Sequence, residues 1–284
     1  MKTANFVKSP LNYVGGKYKL LPQILPLFPK NIDTFIDMFC GGFNVGVNAN
    51  ANKIVGNDIC KEVIGVYSGI QKEGVSNALK LVKNEIHKYD LSKTNREGFN
   101  AIRSHYNEGN KDWYIFYAML THAFNYQIEF NKKGGYSVPF GKNRSCFNPA
   151  LEKHFVKFAT VLSEKNIIFT SESFETFDIN SLTENDFVYL DPPYLMACTA
   201  YNRQYGWNVD KENKLLAMCD KLNAKGVKFA LSNVLEHKGL ENEILKEWSK
   251  KYNINYLNYD YNNCNYQNND NKNNKTIEVL ITNY

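Results

Sequence analysis

The chain has 284 residues, of which 43% are hydrophobic and 14% aromatic, and its formal net charge is +5. This size and composition exclude a disordered or fibrous polypeptide and predict one large globular domain, or a domain with an insertion. The first residues lack the apolar core of a signal peptide, and no stretch approaches the roughly 20 apolar residues that span a bilayer. We therefore expect a cytoplasmic protein that makes no membrane contact.

The six cysteines form no Cys-x-x-Cys pair, and the five histidines show no metal-ligand spacing. Cysteines spaced in this way are typical of proteins from a reducing compartment. We expect free thiols and no bound metal.

The first elements predicted along the chain are two buried strands on either side of a glycine turn. Thr34–Phe39 is an apolar run that stops at Gly41-Gly42, and Lys53–Asp58 is a second strand. This order is typical of the first half of a doubly wound α/β sheet, in which ligands bind beyond the carboxyl ends of the strands. The candidate ligand-binding residues at this edge are Asp37, Phe39, Gly41, Gly42, Asn44 and Asp58.

Asp58 ends the second strand, where an acidic residue usually accepts hydrogen bonds from the two hydroxyls of a ribose. The alternative for Asp58 is a helix N-cap or a turn, and the glycine turn itself has a purely structural alternative. The segment Tyr13-Val-Gly-Gly-Lys17 is by itself an ordinary turn, because the phosphate-loop pattern GxxxxGK[ST] is absent.

From residue 61 to 165 the pattern becomes mainly helical, with helices predicted at Val75–His87, Phe99–Tyr106 and Trp113–Tyr126. This region holds 16 Lys+Arg against 10 Asp+Glu, so the positive surplus of the chain lies here. We predict an inserted domain at 61–165 and a catalytic domain made from 1–60 and 166–284.

Within the insertion, Ile128–Pro149 is punctuated by glycine and proline, and Phe130–Leu151 contains no acidic residue. Basic and aromatic side chains alternate there, a pattern that suits a hairpin laid on nucleic-acid phosphates. A solvated basic loop is the alternative. The basic residues are Lys132, Lys133, Lys142 and Arg144, and the aromatic ones are Phe130, Tyr136, Phe140 and Phe147.

Strand patterns resume after the insertion and complete the predicted sheet. The strands are Asn166–Phe169, Phe187–Leu190, Lys228–Ser232, Ile254–Tyr259 and Thr276–Ile281, with helices near 210–225 and 241–252. Between Asn262 and Asn274 the chain is dominated by asparagine, which predicts a mobile loop between two strands.

Asp191-Pro192-Pro193-Tyr194 follows the apolar strand Phe187–Leu190, so it lies where this architecture binds its substrate. An aromatic amine becomes nucleophilic when a carboxylate and a carbonyl accept its two hydrogens, and Asp191 and the Pro192 carbonyl fit those roles. The prolines fix the loop, and Tyr194 offers a ring on which an extruded base can stack. The tetrapeptide therefore predicts methylation of an amino nitrogen, with a simple proline turn as the alternative.

The order of these motifs resembles the Dam-type (alpha group) DNA adenine methyltransferases, most closely the phage Dam enzymes. The matching segments are Tyr13–Lys17, Asp37-Met-Phe-Cys-Gly-Gly42, Val138-Pro-Phe-Gly-Lys142, Asp191–Tyr194 and Ser232-Asn-Val-Leu-Glu-His237, so the resemblance covers nearly the whole chain. It implies a Rossmann-like methyltransferase sheet, an inserted target-recognition domain, double-stranded DNA as substrate and no obligatory protein partner. It also implies restriction-modification or phage biology.

The same resemblance implies that Tyr13 and Lys17 contact the cofactor S-adenosylmethionine, and that Asp58 holds its ribose. It further implies that Phe174 lies against the cofactor adenine, and that Asp191 lies between cofactor and target amine.

A base inside a duplex cannot reach such a pocket, so the target adenine is expected to flip out. The resemblance implies that Phe124-Asn125 is inserted into the duplex, whereas a core role for Phe124 at a helix end is the alternative. The expected site is GATC, yet Glu129 and Asn143 stand where the family has arginines, which predicts a changed or relaxed site. The DNA-binding candidates are Phe124, Asn125, Glu129, Lys132, Lys133, Pro139, Lys142, Asn143 and Arg144.

Two rival functions remain open. Methylation of the cytosine amino group uses a similar tetrapeptide with other residues at its first position, and Asp191 favours adenine over it. The second rival is an inactive DNA-binding module, or a pocket that serves a protein glutamine.

Overall fold

The computed structural model describes residues 6–196, 206–258 and 276–284. Its centre is one sheet whose spatial order is β3-β2-β1-β4-β5-β8-β7, with the short β6 paired to β5. The strands are β1 Thr34–Asp37, β2 Lys53–Asn57, β3 Ile167–Thr170, β4 Phe187–Leu190, β5 Lys228–His237, β6 Leu240–Glu241, β7 Asn253–Leu257 and β8 Thr276–Thr282.

The five neighbouring strands β3, β2, β1, β4 and β5 are parallel. Strand β8 lies between β5 and β7 and is antiparallel to both. Strand order reverses between β1 and β4, because β2 follows β1 on one side while β4 lies on the other. A crevice opens beyond the carboxyl ends of the strands at such a reversal. The predicted doubly wound α/β fold is therefore confirmed, and its switch point lies beside Asp37 and Leu190.

The α-helices in the described residues are α1 Leu21–Ile24, α2 Lys61–Lys88, α3 Arg96–Asn107, α4 Trp113–Leu120, α5 Pro149–Glu164, α6 Val209–Ala224 and α7 Glu243–Ser249. Helix α2 is broken at Gly74, whose backbone is left-handed with φ +72°. Its first half was not predicted as a helix, because its buried residues leave little polar face to reveal a helical period. Asn148 caps α5 by accepting from the Leu151 amide at 2.9 Å, ahead of Pro149 at the first helical position.

Side chains that alternate along the strands feed two hydrophobic clusters. Phe35 and Phe187 pair in register and face the cluster that contains α1 to α5, whereas their neighbours Ile36 and Val188 face α6 and α7. Helices of the 61–165 region thus share one core with the sheet. The division of the chain into two domains remains a prediction.

The helix predicted at Trp113–Tyr126 is wrong in its second half. Helix α4 ends at Leu120, and Asn125 and Tyr126 have φ values of +53° and +56°, which a right-handed helix excludes. The Phe124 amide donates to the Pro139 carbonyl at 2.8 Å instead of to its own helix. Phe124 therefore lies in a turn held by a distant segment.

Other boundaries differ by smaller amounts. The strand predicted at Lys228–Ser232 continues to His237, because its second half pairs with β8. The asparagine-rich loop Asn262–Asn274 and the predicted strand end Tyr259 lie outside the described residues.

Within the described ranges, none of the helices combines the length and the apolar character that crossing a bilayer requires. Cys40, Cys60, Cys146 and Cys219 are free, and the other two cysteines lie outside those ranges. The same ranges contain no cluster of three potential metal ligands.

Two glycines one turn apart in α2 offer a matched test of the packing between α2 and α4. A Cβ built on Gly69 would lie 2.2 Å from the Trp113 ring, whereas one on Gly65 would meet nothing within 4 Å. We expect Gly69→Ala to lower the free energy of unfolding by about 1–3 kcal/mol. Gly65→Ala should instead raise it by about 1 kcal/mol, because alanine favours the helix. Urea unfolding of both variants measures the difference, and equal effects would contradict this packing.

Candidate active site

A cavity of about 370 Å³ opens along the carboxyl edge of the sheet. Ligand pockets in proteins commonly span about 300–1,000 Å³. Its lining follows the strand order: Asp58 after β2, Phe39 after β1, Asp191 after β4, His237 at the end of β5 and Thr276 at the start of β8. The cavity therefore crosses the switch point between β1 and β4.

The glycine turn forms one wall of this cavity. Gly41 has φ +44°, and a Cβ there would lie 2.8 Å from the Tyr13 ring. Its amide donates to Asp58 Oδ2 at 2.9 Å, and its carbonyl accepts from the buried Tyr67 hydroxyl at 2.6 Å. Glycine is required here because of both the positive φ and the close ring.

Asp58 is 2% exposed and uses both carboxylate oxygens within the fold. Oδ2 accepts from Gly41, and Oδ1 accepts from the Cys60 amide at 2.8 Å at the start of α2. Each carboxylate oxygen has a second lone pair, so a residue that shapes the turn can also accept from a ligand. The turn-forming role is visible in the structure, and the ribose-binding role remains a prediction.

Asp37 and Asn44 line the same cavity and also hold the turn together. Asp37 Oδ2 accepts from the Gly46 amide at 3.0 Å, and Asn44 Oδ1 accepts from the Ser9 amide at 3.0 Å. Burial raises the pKa of Asp37 well above its usual range, and the charges of Asp191 and Asp58 raise it further.

Phe174 does not line the main cavity. Its ring packs with Phe39 and Trp207, at centroid distances of 5.5 Å and 5.6 Å, beside a neighbouring cavity of about 30 Å³. Phe39 and Pro193 line both cavities, so Phe174 lies next to the main site. Its contact with a cofactor adenine remains a prediction.

A buried ammonium group lies at the centre of the site. Lys17 is 5% exposed, and its Nζ lies 2.9 Å from Asp191 Oδ1 and 3.7 Å from Glu278 Oε1. The same Nζ donates to the Gly15 carbonyl at 2.8 Å. One cation therefore serves two carboxylates that come from β4 and β8.

Tyr194 contacts this cluster of Lys17, Asp191 and Glu278. Its hydroxyl lies 3.2 Å from Asp191 Oδ1 and 3.1 Å from Glu278 Oε1, so its single proton binds one of the two carboxylates. The Lys17 Nζ lies 5.0 Å from the centre of the Tyr194 ring, a cation–π distance. Pro192 and Pro193 line the cavity between these groups.

Opposing effects act on the Asp191 carboxyl, which is 18% exposed. Burial raises its pKa most, the Lys17 ammonium lowers it, and the Glu278 charge raises it again. The net direction is upward, so Asp191 binds a proton more readily than a carboxyl in water.

Glu278 was missed by sequence reasoning. The signal was a single acidic residue inside the apolar strand Thr276–Ile281, where an unpaired buried charge is costly. Its significance depends on β8 lying beside β5, which the linear pattern does not reveal. Met196, Val234, His237 and Thr276 also line the cavity and were not predicted.

Four of the predicted DNA-binding residues lie close together: Phe124, Asn125, Pro139 and Arg144. We call this group the Phe124 turn. The Arg144 guanidinium lies 4.8 Å from the centre of the Phe124 ring and donates to Asn125 Oδ1 at 3.2 Å. The side-chain amide of Asn12, next to the cavity residue Tyr13, donates to the Asn125 carbonyl at 3.2 Å. The Phe124 turn therefore lies near the cavity mouth.

The predicted hairpin is short, with one bridge between Phe130 and Tyr136. Lys132 and Lys133 are exposed at its tip, as are Lys142, Asn143 and Arg144 in the turn that follows. The alternating aromatic residues are instead partly or fully buried: Phe130, Tyr136, Phe140 and Phe147. They pack into the core, and the exposed face of this segment is basic.

Glu129 is not part of the Phe124 turn. It lines a second cavity of about 860 Å³ together with Lys61, Glu62, Lys111 and Lys132. Asn143 lies elsewhere, where its amide donates to the Lys93 carbonyl at 2.8 Å. The two positions that depart from the Dam pattern are thus in different surroundings.

Comparisons with known proteins agree with this architecture. The model of a family described as D12 class N6 adenine-specific DNA methyltransferase matches residues 13–263. The chain is 50% identical to the type II methyltransferase M.FokI of Planomicrobium okeanokoites, over 100% of this chain and 44% of that protein. It is 44% identical to the modification methylase StsI of Streptococcus sanguinis, over 99% of this chain and 44% of that protein.

A phage enzyme shows a weaker match. The DNA N-6-adenine-methyltransferase of Escherichia phage P1 is 25% identical, over 81% of this chain and 30% of that protein. The chain spans less than half the length of each of these three relatives. Thr276 and Glu278 lie beyond the segment that the family model matches.

The shared lysine predicts how stability depends on pH. When the pKa of a carboxyl is higher in the folded than in the unfolded protein, its contribution to stability is fully present at pH values below the unfolded pKa. That contribution is lost as the pH rises through the folded pKa. Lys17→Met removes the cation that holds the pKa of Asp191 down, so the pKa of this carboxyl rises further. We therefore expect the free energy of unfolding to fall by about 3 kcal/mol at about pH 8 and by less at about pH 5.

Thermal melting of wild type and variant across that pH range measures the difference. Lys214→Met removes a lysine that is 52% exposed and paired with Asp210, so it serves as the control. It should change the melting temperature little at either pH. Equal losses at both pH values in Lys17→Met would contradict the coupling between Lys17 and Asp191.

Proposed function

The chain belongs to the D12 class of N6 adenine-specific DNA methyltransferases, and on that premise we propose that it methylates the 6-amino group of an adenine in double-stranded DNA, with S-adenosylmethionine as methyl donor. The observation that carries this proposal is the position of Asp191. It lies at the carboxyl end of β4, between the glycine turn and the far wall formed by β5 and β8.

The residues of the cavity fit S-adenosylmethionine. Gly15 also lines the cavity, and a Cβ built there would meet no atom within 4 Å, so a ligand can approach the backbone closely at that point. Asp58 and Asp191 bring carboxyl groups to this part of the cavity, which suits a cation. When bound, S-adenosylmethionine supplies an electrophilic methyl group. We assign Tyr13, Lys17 and Asp58 to its binding, with Phe39 and Phe174 on the side of its adenine.

Asp191 holds the target amine. In the described part of the chain, its contacts with Lys17 and Tyr194 both use Oδ1, so Oδ2 is left to accept an amine hydrogen. The Pro192 carbonyl accepts the second hydrogen. Together they favour the pyramidal nitrogen that attacks.

The proton released from the methylated nitrogen also needs an acceptor. Asp191 is in contact with that nitrogen in this proposal, and its raised pKa allows it to hold a proton transiently. Lys17 then balances the charge when the carboxylate forms again. Tyr194 provides the ring against which the extruded base stacks.

Extrusion of the base costs a few kcal/mol, which contacts with the duplex must offset. The Phe124 turn lies beside the cavity mouth and presents an exposed Asn125 with an arginine against it. We assign Phe124 and Asn125 to filling the gap that the base leaves. The exposed lysines Lys132, Lys133 and Lys142 bind phosphates.

We propose GATC or a related motif as the recognition site. Glu129 lines the second cavity, where its carboxylate can accept from a cytosine amino group, whereas an arginine would read guanine. A role in restriction-modification is also proposed, since two relatives are named type II methyltransferase and modification methylase.

Cytosine amino methylation and a catalytically inactive DNA-binding protein are the rival functions. One measurement on purified protein distinguishes both from the proposal. Labelled methyl is transferred from S-adenosylmethionine to unmethylated DNA, and the DNA is then digested so that the modified nucleoside can be identified. We expect N6-methyladenine in the wild type. Asp191→Ala should lower the rate by at least about a thousandfold, because it removes the acceptor at the reacting atom.

The matched control is Asp210→Ala, which removes a carboxylate that is 71% exposed and should keep full activity. Circular dichroism shows whether Asp191→Ala is folded, and sequencing of the methylated DNA identifies the motif. N4-methylcytosine as product would establish the first rival. Absence of transfer to any DNA would refute the proposal.

Phosphate binding by the basic segment is tested by salt dependence. Replacing Lys132, Lys133 and Arg144 together with alanine should weaken DNA binding and reduce the slope of log affinity against log salt by about 3. The control replaces Lys53 and Lys228, which begin β2 and β5, and Lys225, which follows the last residue of α6. That triple variant should keep the wild-type slope, and an unchanged slope in the first would locate phosphate binding elsewhere.

A further inference from the structure

Strand β5 ends in a tight hairpin at the far wall of the cavity. His237 pairs with Leu240, and the two residues between them have φ values of +53° at Lys238 and +80° at Gly239. Two successive positive φ values are typical of the two-residue turns that join hairpin strands. This turn fixes the backbone of His237 at the last position of β5.

A bulge in β5 decides which way His237 faces. In a regular strand, residues three apart such as Val234 and His237 point to opposite faces. The pairing of β5 with β8 shifts register between Val234 and Glu236, so one residue is left over. The extra residue reverses the alternation, and Val234 and His237 both line the cavity. Their β8 partners Glu278 and Thr276 are two apart and share that face.

The His237 ring has one nitrogen engaged. Nδ1 lies 2.9 Å from the hydroxyl oxygen of Thr276, its partner across the strand pair. Burial lowers the pKa of His237, and the neighbouring Lys238 charge lowers it further. The imidazole is therefore neutral at neutral pH. Among the described residues no group forms a hydrogen bond with Nε2, which leaves this nitrogen for a ligand.

The cavity needs a hydrogen-bond donor on this side. Asp58 and Asp191 line the cavity as hydrogen-bond acceptors, while the Lys17 ammonium is engaged by Asp191. An aminopurine whose amine is held by two acceptors still carries acceptor nitrogens in its ring on either side of that amine, N1 and N7. In the tautomer whose Nδ1 accepts a hydrogen bond from the Thr276 hydroxyl, the neutral imidazole carries its proton at Nε2 and can donate it.

Resting on the proposed function, we propose that His237 contacts the target base and donates a hydrogen bond from Nε2 to a ring nitrogen next to the methylated amine. The bulge and the Thr276 contact hold the imidazole in this orientation before the base enters. This interaction selects the base after extrusion and is independent of methyl-donor binding at the opposite end of the cavity.

The test uses the full chain and duplexes that contain its sequenced target motif with adenine, 1-deazaadenine or 7-deazaadenine at the target position. His237→Ala should lower kcat/KM on the adenine duplex about tenfold, as expected for loss of one hydrogen bond. Replacing the contacted ring nitrogen should lower the wild-type value by a similar factor. The same analogue should cause no further loss of kcat/KM in His237→Ala. If 1-deazaadenine behaves in this way, the contacted nitrogen is N1, and if 7-deazaadenine does, it is N7.

Thr276→Val removes the hydroxyl and should reproduce part of the loss, whereas Thr276→Ser keeps the hydroxyl and should retain wild-type kcat/KM. His87→Ala, at an exposed site in α2, serves as the matched histidine control. Binding of S-adenosylmethionine, measured by calorimetry, should be unchanged in His237→Ala.

Wild-type kcat/KM in His237→Ala would overturn the inference. The inference would also be overturned if both analogues lowered kcat/KM by the same factor in the wild type and in His237→Ala, since other donors would then contact the ring nitrogens. Both results require an active wild-type protein. A wild type that methylates no DNA would instead refute the proposed function, so the two failures are distinguishable.

Discussion

The site depends on one buried ammonium group, that of Lys17, which lies between the carboxylates of Asp191 and Glu278. Two like charges this close in a buried cluster repel each other, and the lysine offsets that repulsion. The lysine comes from the N-terminal segment, Asp191 follows β4, and Glu278 lies in β8. Their attraction joins three parts of the chain that are far apart in sequence, and the cavity forms around this junction.

Much of the sheet could be predicted from the sequence, because strands buried on both faces appear as apolar runs and the tetrapeptide after β4 marks the carboxyl edge. Glu278 could not be assigned, since its role depends on β8 lying beside β5, a non-local pairing that no short pattern encodes. The first half of α2 is buried and therefore lacks the polar stripe that reveals a helix. The turn at Asn125 was missed because its left-handed backbone is stabilised by contacts with Pro139 and Arg144.

Charge is distributed in two opposite zones. Carboxylates line the cavity, whereas the exposed face of residues 132–144 is basic because its aromatic side chains point into the core. A phosphate chain is attracted to the second zone and repelled by the first, and an uncharged base is not repelled by either. In the proposed function, this arrangement separates two tasks, holding a phosphate backbone outside and admitting a base inside.

The antiparallel placement of β8 has a consequence for synthesis on the ribosome. Strand β7 pairs only with β8 among the described strands, and β5 has an open edge until β8 arrives. A nascent chain that has produced β7 therefore has neither Glu278 nor Thr276, and its cavity lacks one wall. The cluster of Lys17, Asp191 and Glu278 therefore forms only once β8 has been made and has paired with β5.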